Sequence, residues 1–231
     1  MPKQNENQKH WEHFAEKNAK YYIDTSLKNP DQFWRKGKDN FNTYILPILE
    51  KYQVTGETAL DFGCGIGRYT FPLCSYFHKV IGVDISNNML EKARQYAKER
   101  NIQKTQFMQN ENFFDLPDES PSIDFIYSVN VFQHIEDPNE IQRILHKMAK
   151  ILRGYAYIQF DTRPKNWKYK IKSNLPDFIL PKAQKSGIRR TRIDSKILKE
   201  IFQKCGLKII QEQQPSSESN FFILKYEKTH S

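Results

Sequence analysis

Apolar positions along the chain repeat with two different periods. In "NFNTYILPILEKY", Phe41, Tyr44, Ile45, Ile48 and Leu49 recur at helical intervals, although Pro47 sits within the run. Residues 10–55 as a whole read as helical and are dense in aromatics: Trp11, Phe14, Tyr21, Tyr22, Phe33, Trp34, Phe41 and Tyr44. The period then shortens. "TALDF", "KVIGVDIS", "KTQFMQN", "PSIDFIYSVNVF" and "YAYIQFD" predict five strands. Between them, "RYTFPLCSYF", "NNMLEKARQYAKERN" and "DPNEIQRILHKMAKILRG" read as helices. Ser86 or Asn87 caps the second. The third repeats Ile141, Ile144, Leu145, Met148, Ile151 and Leu152, and Gly154 stands where a left-handed C-cap is common. "DSKILKEIFQKCG" predicts a last helix ending in glycine, and "LKIIQEQ" and "NFFILKYEK" predict two closing strands. Strands alternating with helices predict an α/β fold with a doubly wound, mostly parallel sheet. The last two strands leave little room for a helix between them, so one is expected to be antiparallel.

In such a sheet, ligands sit at the carboxyl ends of the strands, where the strand order reverses. "LDFGCGIG" ends the first strand at that place, and the helix after it is expected to point its N-terminus there. Gly63, Gly65 and Gly67 let the loop turn sharply and let a ligand touch bare backbone. The second strand ends in Asp84, whose carboxylate can accept hydrogen bonds from the two vicinal hydroxyls of a ribose. This outline predicts a site for an adenosine-containing cofactor. Dinucleotide-binding proteins space their glycines G-x-G-x-x-G/A, with a small residue at the sixth position. Here the sixth position is Arg68, and Asp61 precedes the glycines by two. An acid there suits a cationic ammonium better than a pyrophosphate.

Composition narrows the class further. The chain has 231 residues, 38% of them hydrophobic and 13% aromatic, enough for one sizeable core. Its three cysteines, Cys64, Cys74 and Cys205, lack metal-ligand spacing, which argues against both a disulfide framework and a zinc site. The first residues hold no apolar signal segment, and no apolar run approaches the roughly 20 residues of a membrane span. A soluble, cytoplasmic protein is expected. The net charge of +9 is concentrated: Asp161 to Ile210 hold fourteen Lys/Arg against four Asp/Glu, a net +10, so the remainder is −1.

These features together resemble the class I S-adenosylmethionine (SAM) dependent methyltransferases, in particular the broad type 11 group of small-molecule enzymes. The resemblance runs from about Leu46 to Phe160 and continues more weakly to the end. "ALDFGCGIGRY" looks like the family's first motif, "VIGVDIS" its second, and "SIDFIYSVNVFQHIEDP" its fourth. "FMQNENFFDLP" stands where an adenine-binding acidic segment is expected, but Asn110-Glu111 replaces the usual Gly-Asp pair. The resemblance implies a Rossmann-like methyltransferase fold with a seven-stranded sheet. It implies a helical lid over residues 1–45, a SAM-binding domain over 46–231, and a basic substrate-covering insertion at 161–192.

Residue by residue, it implies that Gly63 and Gly65 present backbone to the methionine part of SAM and that Asp61 holds its ammonium. Arg68 reaches its carboxylate or keeps a surface role. Asp84 binds the ribose. Ile85 and Met89 flank the adenine, with core packing as the alternative for Met89, and Glu111 or Asn112 reads the adenine edge. Asn130 borders the sulfonium, and His134 is either a general base or a residue that shapes the pocket floor. No metal is called for. The lid aromatics, Tyr21 or Tyr22 foremost, are expected to close over the site or dock the helices on the sheet.

Three partners suit the basic segment. A small acidic or phosphorylated acceptor would be clamped by Arg189, Arg190 or Arg192. Nucleic acid, the less favoured partner, would stack on Trp167 and Tyr169. A peripheral membrane contact would use Trp167, Phe178, Ile179 and Leu180. The bland alternative is a solvated lobe. The function expected is methyl transfer from SAM to O, N or C of a small or medium acceptor. The alternatives are an RNA-directed methyltransferase and a non-catalytic accessory protein that binds SAM or nucleic acid.

Overall fold

A computed structural model describes residues 6–27, 29–118, 122–167, 169, 171, 175–176, 178–179, 190–216 and 219–227. The seven strands are β1 (Gly56–Phe62), β2 (Phe77–Asp84), β3 (Thr105–Gln109), β4 (Ile123–Ser128), β5 (Leu152–Phe160), β6 (Leu207–Ser216) and β7 (Ser219–Tyr226). They form one sheet in the order β3-β2-β1-β4-β5-β7-β6. Strands β1 to β5 pair in parallel, while β7 runs antiparallel to both β5 and β6. The expected reversal is therefore in β7. The chain winds outward from β1 to β3 and then returns to lay β4 on the other side of β1. That reversal makes the carboxyl end of β1 the switch point.

Helices cover both faces. On one, α7 (Pro138–Ile151) and α8 (Ser195–Lys204) bury Ile144, Leu145, Met148, Leu198 and Phe202 against Leu60, Ile126 and Ile158. Asp137 and Asp194 cap these two helices through their own side chains. On the other face, α3 (Leu46–Lys51) brings Ile48 and Leu49 onto Ala59, Val80 and Phe125. β4 is buried along its whole length, as a central parallel strand should be. Pro47 is accommodated at the first turn of α3, behind a π-helical turn over Phe41–Ile45 in which the Leu46 N–H reaches the Phe41 carbonyl.

Three details correct the sequence reading. Gly154 is not a helix cap: α7 ends at Ile151, and Gly154 lies inside β5. A Cβ there would run into the carbonyl oxygen of Asp124, where the β4–β5 register shifts, so the glycine serves close backbone approach. The helix after the glycine loop is a single turn, α4 (Thr70–Leu73), and Phe77 already belongs to β2. The fourth strand stops at Ser128, and Phe132–His134 form a 3-10 turn.

The N-terminal helix α1 (Glu6–Ile23) breaks at Asn18, whose side chain accepts from the Tyr21 N–H at 3.1 Å. Together with α2 (Phe33–Asn40) it packs over α5 (Asn87–Glu99), enclosing Ala15, Ala19, Phe33, Ile66 and Met89.

Candidate cofactor and acceptor site

The loop after β1 folds back onto the end of β2. The N–H groups of Gly63 and Cys64 both donate to the Val83 carbonyl, at 2.7 and 2.9 Å. Gly63 and Gly65 have φ of 80° and 53°, in the left-handed region that side chains avoid. A Cβ on Gly63 would strike Val131, and one on Gly65 would come within 2.9 Å of the Ile23 Cδ1 at the end of α1. The Gly65 N–H donates to Asp84 Oδ2 at 2.8 Å, and the Ser86 N–H donates to Oδ1 at 3.0 Å. The glycine loop and the Asp84 side chain thus form one hydrogen-bonded unit.

Asp61, at the end of β1, is 2% exposed and accepts from the Thr70 hydroxyl at 2.6 Å. Burial pushes its carboxyl up to about 7 against the Thr70 hydrogen bond, and the charge of Asp84 adds to the rise. Burial likewise raises Asp84 to about 6, with the Glu12 carboxylate contributing. Two acids that resist ionisation therefore stand together at the switch point. Such a site gains most from a ligand that brings a positive charge.

Arg68 is 5% exposed, so it has no surface role. Its Nη1 pairs with Asp24, just after α1, at 3.0 Å, and its guanidinium lies 4.8 Å from the Phe33 ring centre. Its Nε and Nη2 are buried without a partner. Met89 is buried against Ala15 and Ala19 of α1, and Ile85 is half-buried. In helix α6 (Asn110–Phe114), Glu111 and Asn112 are exposed. Asn110 was read only as the substitute for a glycine, yet its side-chain oxygen is the enclosed one and has no partner.

On the acceptor side, Asn130 follows β4 with φ of 63°, and its N–H donates to Gln159 Oε1 at 2.8 Å. A left-handed asparagine beside a ligand site is a common form of local strain. His134 is half-buried, with its ring 5.3 Å from that of Trp11 in an edge-on packing. Tyr22 is buried and stacks on Phe14 at 4.2 Å, with Tyr21 edge-on to it.

Sequence reasoning missed Glu12. Its carboxylate accepts from the Ser86 hydroxyl at 2.7 Å and from the Asn87 and Asn88 N–H groups at 2.8 and 3.0 Å. A carboxylate from α1 therefore caps α5 beside Asp84. Nothing local marks it; it is one acid among several on a polar helix face.

Further along the carboxyl edge lies a cavity of about 280 Å³ between the segments after β4 and β5 and the start of α8. Ile135, Ile141 and Ile193 give it apolar walls; Arg163, Lys165 and Arg192 line it as cations, and Glu136 and Asp194 as acids. Arg163 is held bidentate by the fully buried Asp161, its Nε at 2.9 Å. Arg192 donates to the Pro164 carbonyl at 2.7 Å and lies 4.5 Å from the Tyr169 ring centre. Arg190 is half-buried, while Arg189 and Leu180 fall outside the described residues. Among the described residues no group of three or more His, Cys, Asp or Glu could hold a metal ion. No described helix is long and apolar enough to cross a membrane.

Comparison with known proteins bears on this arrangement. Residues 59–154 match the family model described as a methyltransferase domain. An uncharacterized methyltransferase of Anoxybacillus flavithermus is 30% identical over 137 residues, 59% of this chain and 60% of that protein. The ubiquinone biosynthesis O-methyltransferase of Coxiella burnetii is 27% identical over 129 residues, 54% of this chain and 53% of that protein. The chain thus spans little more than half the length of these curated relatives. Among solved structures, the magnesium protoporphyrin IX methyltransferase of Synechocystis PCC 6803, crystallised with bound SAH, shares the fold. Its TM-score is 0.69 at 18% identity, over 95% of this chain and 98% of that one.

Proposed function

We propose that the chain is a class I, SAM-dependent methyltransferase that moves a methyl group from SAM to an oxygen, nitrogen or carbon of a small or medium-sized anionic acceptor, a reading supported by the match of residues 59–154 to a methyltransferase domain. The observation that carries this reading is the pair of enclosed carboxylates, Asp61 and Asp84, beside the left-handed glycine backbone. The residues fit the cofactor. Asp61 is partnered by a neutral hydroxyl and has no ion pair among the described residues, so an ammonium would neutralise a charge the fold leaves unmatched. The buried, unpartnered Nε and Nη2 of Arg68 suit a carboxylate. Each Asp84 oxygen keeps lone-pair capacity beyond the Gly65 and Ser86 bonds, enough for a ribose diol.

When bound, SAM supplies a methyl group on a cationic sulfur that departs as a neutral thioether. The chain's own groups do the rest. Gly63 and Gly65 present backbone to the amino-acid part, Ile85 and Met89 flank the adenine, and Glu111 or Asn112 meets its edge. Asn130 borders the acceptor, and His134 takes the proton that an acceptor hydroxyl or amine releases. Holding the nucleophile in line supplies much of the rate, because the displacement needs little beyond correct approach. Residues 1–45 act as the lid and 46–231 as the catalytic body, within which 161–192 covers the acceptor. Arg163, Lys165 and Arg192 recognise the acceptor's negative charge at the cavity wall. The three free thiols accord with a cytoplasmic setting.

Titration calorimetry tests the cofactor: micromolar affinity for SAM and for its demethylated product is expected, with NAD far weaker. A preference for NAD would overturn the reading. Incubating labelled SAM with metabolite extracts then identifies the acceptor.

A further inference from the structure

Between Arg163 and Arg192 the sequence holds ten Lys/Arg and a single acid, Asp177. That segment carries the whole net charge of the protein, since the remaining residues sum to zero. The same short stretch exposes apolar bulk. Phe178 is 83% exposed, Trp167 67%, Ile179 57% and Ile171 53%. Half of the large exposed hydrophobics among the described residues fall in these thirteen positions, and the rest are scattered from Tyr44 to Ile210. Phe178 and Ile179 sit together on a turn whose Ile179 N–H closes onto the Pro176 carbonyl. Burying the pair in the fold would cost nothing in charge, yet both are exposed, in a stretch of sequence rich in lysine and arginine.

Two kinds of surface could receive a positive stretch with exposed apolar side chains. A nucleic acid would need aromatic faces for its bases. Trp167 and Phe178 are exposed, but Tyr169 is already covered by the Arg192 guanidinium at 4.5 Å, and the equally exposed Ile171 and Ile179 offer a base no stacking face. A Phe-Ile tip matches no feature of a phosphate backbone. A bilayer with anionic headgroups satisfies both properties: the cations meet the headgroups, and tryptophan, phenylalanine and isoleucine enter the acyl boundary.

We propose that Trp167, Ile171, Phe178 and Ile179, exposed within the basic stretch of sequence from Arg163 to Arg192, insert into anionic lipid bilayers. Arg163, Pro164 and Lys165 line the acceptor-side cavity immediately before Trp167, so the first inserting residue follows directly on that cavity's wall. The proposal concerns binding alone and stands apart from methyl transfer.

The test is co-sedimentation of the full-length protein with vesicles, read without any activity assay. Vesicles of phosphatidylglycerol mixed with phosphatidylcholine should pellet the protein, pure phosphatidylcholine vesicles should not, and added salt should release it. The double substitution Phe178→Ser with Ile179→Ser should lower the partition by about tenfold or more. Its melting temperature should be unchanged, because both side chains are already exposed. Absence of binding to the mixed vesicles overturns the proposal. So does binding that the double substitution leaves intact while single-stranded RNA competes it away, which would identify the stretch as a nucleic-acid surface.

Discussion

The cofactor end and the basic segment solve recognition in opposite ways. At the carboxyl ends of β1 and β2, Asp61 is 2% exposed, and its charge is suppressed by burial up to about 7. In the basic segment, by contrast, Phe178 is 83% exposed and Trp167 67%. The first region is preorganised: Gly65, Asp84, Ser86 and Glu12 are tied by hydrogen bonds before any ligand arrives. The second relies on many weak, screened attractions. A buried acid gives selectivity for one cation at one place, whereas a basic surface gives attraction to many anions with little geometry.

That contrast can be broken most forcefully at the end of α1. Asp24 is 13% exposed in its side chain and neutralises Arg68, which is 4% exposed. Asp24→Ala leaves the guanidinium buried and unpaired, and should destabilise the protein by about 3 kcal/mol. Chemical denaturation measures it; a loss as small as a surface pair's would show that this end is not part of the buried site.

Asp84→Ala should weaken SAM by about 1.5–3 kcal/mol through the lost ribose hydrogen bonds, roughly tenfold to a hundredfold in Kd. Calorimetry reads this directly, and an unchanged Kd would remove Asp84 from the site.

The two acids also set a pH dependence with a definite sign. Asp61 and Asp84 hold protons in the folded chain up to about 7 and about 6, well above the ordinary 3.8. Between those limits the folded state binds protons that the unfolded chain has released, so their contribution to stability is full below about pH 4. It is lost as pH rises to 6–7. An Asp61→Asn variant should therefore gain stability relative to the parent as pH climbs from 4 to 7, seen as a widening difference in Tm. Affinity for SAM should instead rise through pH 7, because the ammonium needs the ionised carboxylate. Calorimetry in buffers of different ionisation enthalpy should show proton release on binding.

Arg192→Ala should raise the Michaelis constant of an anionic acceptor by about tenfold, one charge-assisted hydrogen bond, and leave the Kd for SAM unchanged. The smallest effect is expected at His134. His134→Ala should fold normally and lose turnover rather than cofactor affinity, which parallel kinetics and calorimetry separate. An unchanged rate makes it a residue that only packs against Trp11.

Much was legible in the chain because the signals are local. The apolar runs that became β1, β2, β4 and β5, the α7 stripe and the Ser86 cap all follow from neighbours within a few residues. The antiparallel β7 follows from the short link to β6. The glycine loop and Asp84 lie nineteen residues apart, yet each ends a recognisable strand, so the sheet brings them together. Gly154 was misread because its reason is the carbonyl of Asp124 on the adjacent strand. Its position one turn past a helix is only incidental. Arg68 finds Asp24 forty-four positions back, and Glu12 caps a helix seventy-four positions ahead. Periodicity and spacing report which face of an element is apolar. Which polar side chains are then sealed beneath a docked helix, and with whom, depends on surfaces that meet only when α1 packs on α5 and the glycine loop; that step, with the raised acids and the latched arginine it creates, belongs to the tertiary structure.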